Sequence, residues 1–157
     1  MEFTTKEDIE APLDQVYAAV SDFDSVERSV RNRGIDVRRA SDADPVCVGT
    51  KWVAGFRFRG KMRDATVTLA QLDPPQMMQF RTVSGGLETE TRLELVSLSR
   101  TRTRISVAVE MQPKTLSARL LVQSMRLAKS NITKRFRVRA ADYARDLELR
   151  LKSDGKG

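Results

Sequence analysis

From Leu116 to Lys152 the chain runs without a glycine or proline, and one apolar stripe recurs through it at helical spacing. The stripe is Leu121, Met125, Ala128, Ile132, Phe136, Ala140, Tyr143, Leu147 and Leu151. Steps of three and four residues place these side chains on one face of an α-helix. Even two-thirds of the stretch would make a rod on the order of 35 Å long, enough to cross a small domain. Nearly everything before it reads as strands with a single apolar face. A curled sheet needs a cover for that face, and this helix is the element long enough to supply it. Ile132, in the middle of the stripe, is expected in the core, so that Ile132→Asp would cost several kcal/mol.

The strands follow from alternation. Phe3, Thr5, Glu7 and Ile9 share one parity, and Pro12 opens a helix whose apolar side is Leu13, Val16, Tyr17 and Val20. A second short helix is expected over Ser25–Val30, after a break at Asp22-Phe23-Asp24, and Arg31–Gly34 turns the chain. A short basic strand, 35–40, precedes a loop at 41–49. Trp52, Ala54, Phe56 and Phe58 then alternate with Lys51, Val53, Gly55, Arg57 and Arg59, so the aromatics share one face, and Ala65, Val67 and Leu69 mark the next strand, 61–72. Asp73-Pro74-Pro75 turns into a strand carrying Met78 and Phe80, which Gly85-Gly86 closes. Leu87, Thr89, Thr91, Leu93 and Leu95 oppose Glu88, Glu90, Arg92 and Glu94, while Ile105, Val107, Val109 and Met111 oppose Arg104, Ser106 and Glu110. One face is apolar and one charged, as in an antiparallel sheet wetted on one side. Pro113 stops the last strand.

This order resembles the START-like or SRPBCC superfamily, whose helix-grip fold also occurs in the birch-pollen allergen and in bacterial polyketide cyclase/dehydrase-like proteins. Ile9-Glu10-Ala11-Pro12 with Val16, Tyr17 and Ser21-Asp22-Phe23 look like its opening strand and first helix. Leu72–Pro75 followed by Met77–Arg81 looks like its mid-sheet hairpin, and the long closing helix completes a likeness to the whole chain. The resemblance implies an α+β fold in one domain, residues 1–157. A curved antiparallel sheet of about seven strands wraps a long C-terminal helix, with two short helices after the first strand. The last few residues are expected to be disordered. It implies binding of a lipid, polyketide or similar hydrophobic or amphipathic molecule between sheet and helix. A minority of members catalyse reactions, so a cyclase/aromatase-type enzyme is the alternative.

Composition narrows the chemistry. The chain has no histidine, which removes Ser-His-Asp and Cys-His schemes, the usual zinc sites and the histidine-bound iron of the superfamily's Rieske-oxygenase members. No glycine pattern fits a phosphate loop. No cofactor, metal or catalytic residue is expected. The single cysteine, Cys47, fits a reducing compartment and is read as a small buried or half-buried apolar residue. No apolar run approaches a membrane span and residues 1–10 are too charged for a signal peptide, so a cytoplasmic protein is expected.

The expected ligand-binding residues are Trp52, Phe56, Phe58, Met78, Phe80, Thr89, Thr91, Leu93, Ile105, Val107 and Val109 from the sheet, with Leu121, Met125 and Ile132 from the helix. A mostly apolar wall with a few hydroxyls is what a small-molecule pocket requires, and a cavity of about 300 Å³ or more is expected. An ordinary core filled by the helix stripe is the competing expectation. Two acids add to this. Glu7 lies in phase with Phe3 and Ile9, and Asp64 stands beside Arg63. Either anchors a ligand or, near a strand end, reaches water.

Charge is unevenly spread. Residues 1–112 hold 16 Lys/Arg against 17 Asp/Glu, and residues 113–157 hold 12 against 4. Leu116, Leu120, Leu127 and Val138 lie roughly opposite the main stripe, among Arg119, Arg126, Lys134 and Arg137. Three explanations of the leucines are open: an anionic membrane, a second copy of the chain, or a bend near residue 124 that buries them. An interaction module using the basic helix on a membrane, RNA or a protein partner is accordingly a further reading of function. A solvated face would also account for the cations. Nucleic acid is disfavoured, because no aromatic interleaves the cations and no RNA- or DNA-binding motif occurs.

Overall fold

The computed structural model describes residues 1–40 and 45–154. Its seven strands form one antiparallel sheet. They are β1 (Glu2–Ile9), β2 (Asp36–Arg39), β3 (Lys51–Phe58), β4 (Lys61–Asp73), β5 (Met77–Ser84), β6 (Leu87–Ser99) and β7 (Arg102–Pro113). Their spatial order is β1-β7-β6-β5-β4-β3-β2, so β2 through β7 form a meander and β1 joins its far edge. The α+β helix-grip architecture expected from the sequence is the one observed. The 41–49 loop lies in part, and the last few residues wholly, outside the described residues.

Alternation sorts the two faces as the residues dictate. Glu88, Glu90 and Glu94 lie on the outer face, where Arg81 reaches Glu88 at 2.9 Å and Gln79 reaches Glu90 at 3.1 Å. The exposed Arg81–Glu88 ion pair contributes at most about 1 kcal/mol, and the main effect of these charges is to keep that face wet. The inner face is curled by irregularities between Leu69 and Gln71 in β4 and between Ser97 and Ser99 in β6.

Two short helices close one end. Helix α1 (Leu13–Val20) starts after Pro12 and buries Val16 and Val20. Thr103 Oγ1, fully buried on β7, donates to the Ala11 carbonyl at 2.8 Å and so ties the start of this helix to the sheet. Helix α2 (Phe23–Asn32) is longer than the expected Ser25–Val30. Asp22 ends the break earlier than expected by capping the helix: its carboxylate accepts from the Ser25 N–H at 3.3 Å and from the Ser25 hydroxyl at 2.7 Å.

The C-terminal stretch is two helices rather than one. Helix α3 (Leu116–Leu127) ends at Ala128, and α4 (Lys129–Asp154) follows at once. Thr115 caps α3 by accepting from the Ala118 N–H at 3.2 Å, and Gly86 in the β5–β6 turn fits beneath it. A Cβ on Gly86 would lie 2.1 Å from Thr115 Oγ1, so only glycine permits this approach. The break separates two packing tasks. Helix α3 rests on β7 through Ala118 and Val122, whereas α4 lies along β1 and against α1. The chain does break close to residue 124, at Ala128, but the break does not bury the outer leucines: Leu116, Leu120 and Leu127 are all exposed, which removes a burying bend as their explanation.

The core lies at the α1 end. Ile9, Val16, Leu69, Met78, Leu95, Ile105, Ala144 and Leu147 form its centre. Ile132 is half-buried and stands outside this cluster, contrary to expectation, because the part of the stripe that meets the packed core is its C-terminal end. Cys47 also departs from its expected burial. It is exposed in the loop before β3, where its N–H donates to Thr50 Oγ1 at 3.0 Å.

Candidate functional site

Between the sheet, α2 and the middle of α4 lies a cavity of about 640 Å³. Its floor is the inner parity of β3 to β7: Trp52, Ala54 and Phe56, then Ala65 and Val67, Met78 and Phe80, Leu93, Ile105 and Val107. Its α2 wall is an i, i+3, i+7 row of Phe23, Val26 and Val30. Its α4 wall is Phe136, Ala140 and Tyr143, the middle of the stripe. Three aromatic rings meet at the α2 side: Phe23 to Trp52 at 5.7 Å, Trp52 to Phe80 at 6.2 Å and Phe23 to Phe80 at 6.5 Å between centroids. They form a rigid apolar corner.

Of the expected binding residues, Trp52, Phe56, Met78, Phe80, Leu93, Ile105 and Val107 are brought together here. Phe58, Thr89, Thr91, Val109, Leu121, Met125 and Ile132 are not among the lining residues. Phe58 lies at the far end of β3, where the guanidinium groups of Arg59 and Arg63 approach its ring centroid to 5.4 Å and 5.5 Å. Thr91 stands opposite Val109, and Thr89 opposite Met111, in the β6–β7 ladder beyond the cavity. Leu121 and Met125 belong to α3, which packs on β7 and not over the cavity. Arg119, Arg126, Lys134 and Arg137 are all exposed, and none has an ion-pair partner among the described residues.

Several lining groups were not expected. Thr82 follows Met78 and Phe80 in phase on β5, a period-two signal that alternation alone could have extended. Thr5 lines the cavity next to Glu7, and Glu7 itself is half-buried against it, the inward orientation that its phase with Ile9 implied. Asp64 is exposed and reaches water. Arg139 lines the rim of the cavity from α4 and, like Arg135 and Arg137, is exposed.

Glu27, on α2, is the lining carboxylate fixed by the protein. Arg39 Nε donates to it at 2.6 Å and Trp52 Nε1 at 2.8 Å. Burial alone would raise its carboxyl, but the hydrogen bonds from Arg39 and Trp52, with the charges of Arg39 and Arg31, outweigh this and hold it below the ordinary carboxylate range. The network clamps α2 to β2 and β3 at once. Glu27→Gln should therefore lower stability by about 1–3 kcal/mol at neutral pH. A carboxyl depressed in the folded state stabilises above its unfolded value, about 4.3, and loses that contribution as pH falls through the folded value. The melting difference between wild type and Glu27→Gln should thus hold steady from pH 7 to about pH 5 and shrink below it, which thermal melts across that range will show.

Burial raises the Tyr143 phenol above its usual range, so it stays a neutral hydroxyl at physiological pH. Glu7, Arg139 and Tyr143 give the cavity an acid, a cation and a neutral donor from β1 and α4. No metal-binding cluster of His, Cys, Asp or Glu occurs among the described residues.

Residues 1–148 match the family described as polyketide cyclase / dehydrase and lipid transport, and the chain belongs to it. No curated protein matches the sequence significantly. Among solved structures, a point mutant of norcoclaurine synthase from Thalictrum flavum, bound to a transition-state analogue, is 12% identical with a TM-score of 0.68, covering 97% of this chain and 96% of that one. A protein of Thermus thermophilus is 16% identical with a TM-score of 0.62, covering 98% and 99%. The ZhuI aromatase/cyclase of Streptomyces sp. R1128 is 12% identical with a TM-score of 0.60, covering 85% and 88%. At these identities the likeness is one of fold.

Proposed function

We propose that this chain binds and carries a hydrophobic or amphipathic small molecule in the cavity between the sheet, α2 and α4. One observation carries the reading. Phe56, Val67, Phe80, Leu93, Val107 and Phe136 point inward yet remain only half-buried, because the volume they surround holds no protein atoms. Apolar surface around an empty volume loses both burial and dispersion, and a ligand restores both. The volume of about 640 Å³ lies within the range of small-molecule sites, and a few polar groups among apolar walls suit an amphipathic guest.

The family description includes cyclases, and the polar residues Glu7, Arg139 and Tyr143 on the cavity lining support a second reading as a cyclase-type enzyme. A guanidinium and a neutral phenol would polarise carbonyls of a folded chain, and the Glu7 carboxylate would take a proton. Native mass spectrometry of the protein purified from its own cells tests the first reading. An adduct of one small hydrophobic molecule per chain, lost on denaturation, is the expected result. A bare chain mass under gentle conditions, together with no uptake of fatty acid or polyketide probes, would refute it.

A further inference from the structure

The outer side of α3 is apolar and cationic at once. Leu116, Leu120 and Leu127 follow at i, i+4 and i+11, which places them within about 40° of one another on the helix. They stand opposite the face that packs on β7 through Ala118 and Val122, and they are 74%, 58% and 91% exposed. Arg119 and Arg126 flank this line on one side. On the other, Arg59 Nη2 donates to Ser124 Oγ at 2.9 Å, which ties the β3–β4 hairpin tip to the helix. That tip adds Arg59, Lys61 and Met62, the last 69% exposed.

Acids are scarce here. Helix α3 has none, the C-terminal segment has none before Asp142, and Asp64 lies in the groove between hairpin and helix. Large apolar side chains framed by unpaired cations suit a partner that offers an apolar interior beneath an anionic surface. A second copy of this patch would bring the same cations face to face.

We propose that α3 and the β3–β4 hairpin tip dock on the surface of an anionic lipid bilayer. The leucines enter the acyl boundary and Arg59, Lys61, Arg119 and Arg126 meet lipid phosphates. Helix α3 runs directly into α4, whose Phe136, Ala140 and Tyr143 wall the cavity. The docking surface shares no residue with the cavity and stands or falls independently of what the cavity holds.

Co-sedimentation of the full chain with vesicles tests this, using phosphatidylcholine alone and phosphatidylcholine mixed with phosphatidylglycerol, at roughly 0.05 M and 0.5 M salt. Binding is expected to the anionic vesicles only and should weaken at least about tenfold at the higher salt. Arg119→Gln/Arg126→Gln should weaken it by about 30-fold, from the contribution each cation makes near an anionic surface. Leu120→Ser/Leu127→Ser should weaken it about tenfold or more. All four side chains are exposed, so both variants should melt with the wild type. No binding to anionic vesicles at low salt, equal binding to neutral vesicles, or a dimer in sedimentation velocity that the leucine variant abolishes would each overturn the proposal.

Discussion

Leu147→Asp should leave no folded protein at room temperature, while Ile132→Asp, fifteen residues earlier on the same helix, should fold. Leu147 is 1% exposed and sits on α4 among Ile9, Val16, Leu95 and Ala144 in the central cluster. An aspartate there has no cationic partner in the apolar cluster and costs several kcal/mol, a large part of the net stability of a small domain. Leu147→Ala removes the same packing without the charge and should cost about 2–5 kcal/mol, or roughly 6–15 °C in melting temperature. Ile132 is half-buried outside the cluster, so its carboxylate can turn to water and the loss should stay near 1–2 kcal/mol. Circular dichroism melts of the three variants separate these outcomes. A cooperative melt for Leu147→Asp near that of wild type would mean that the end of α4 does not seal the core.

That comparison also shows what periodicity can and cannot reveal. The stripe from Leu121 to Leu151 identified the inward face of a helix, and alternation identified the inward face of the strands, because side-chain direction follows from backbone period alone. What lies opposite is a different matter. Leu147 sits in the central cluster, Phe136 and Ala140 line a cavity, and the half-buried Ile132 belongs to neither, yet all belong to one row. The break at Ala128 was equally hidden. Neither glycine nor proline marks it, and its cause is tertiary: α3 follows β7 while α4 follows β1. Exposed Leu127, beside the break, was legible only as an anomaly in the pattern.

The same limit explains which site residues were found. Trp52, Phe56 and Phe80 were legible because large apolar groups at even spacing stand out on a strand. Thr89 and Thr91 share that parity but lie farther along β6, where the ladder passes beyond the cavity, and parity carries no information about position along a strand. The α2 wall was missed for a different reason. Phe23, Val26 and Val30 sit among charged and polar residues on a short helix, and the stretch reads as a surface element until Glu27 is seen clamped to Arg39 and Trp52.

Filling the cavity should abolish ligand uptake without unfolding the protein. Ala54 on β3 and Ala140 on α4 both line it, from the sheet and from the helix. In a packed core, Ala→Phe forces strain of about 1–3 kcal/mol. Here the added rings enter empty volume and gain contacts instead, so Ala54→Phe/Ala140→Phe should melt within a few degrees of the wild type or above it. The same rings occupy the space a guest needs. Affinity for an apolar fluorescent probe, followed by titration, should fall at least about tenfold, a loss of roughly 1.4 kcal/mol or more. Val138→Phe, on the exposed side of the same helix, supplies the control and should bind the probe as wild type does. Equal loss in the control would place the probe on the protein surface. Unchanged affinity in the filled variant would mean that the cavity is not where the molecule goes. A melting temperature lowered by about ten degrees or more would mean that the side chains around it already close the space.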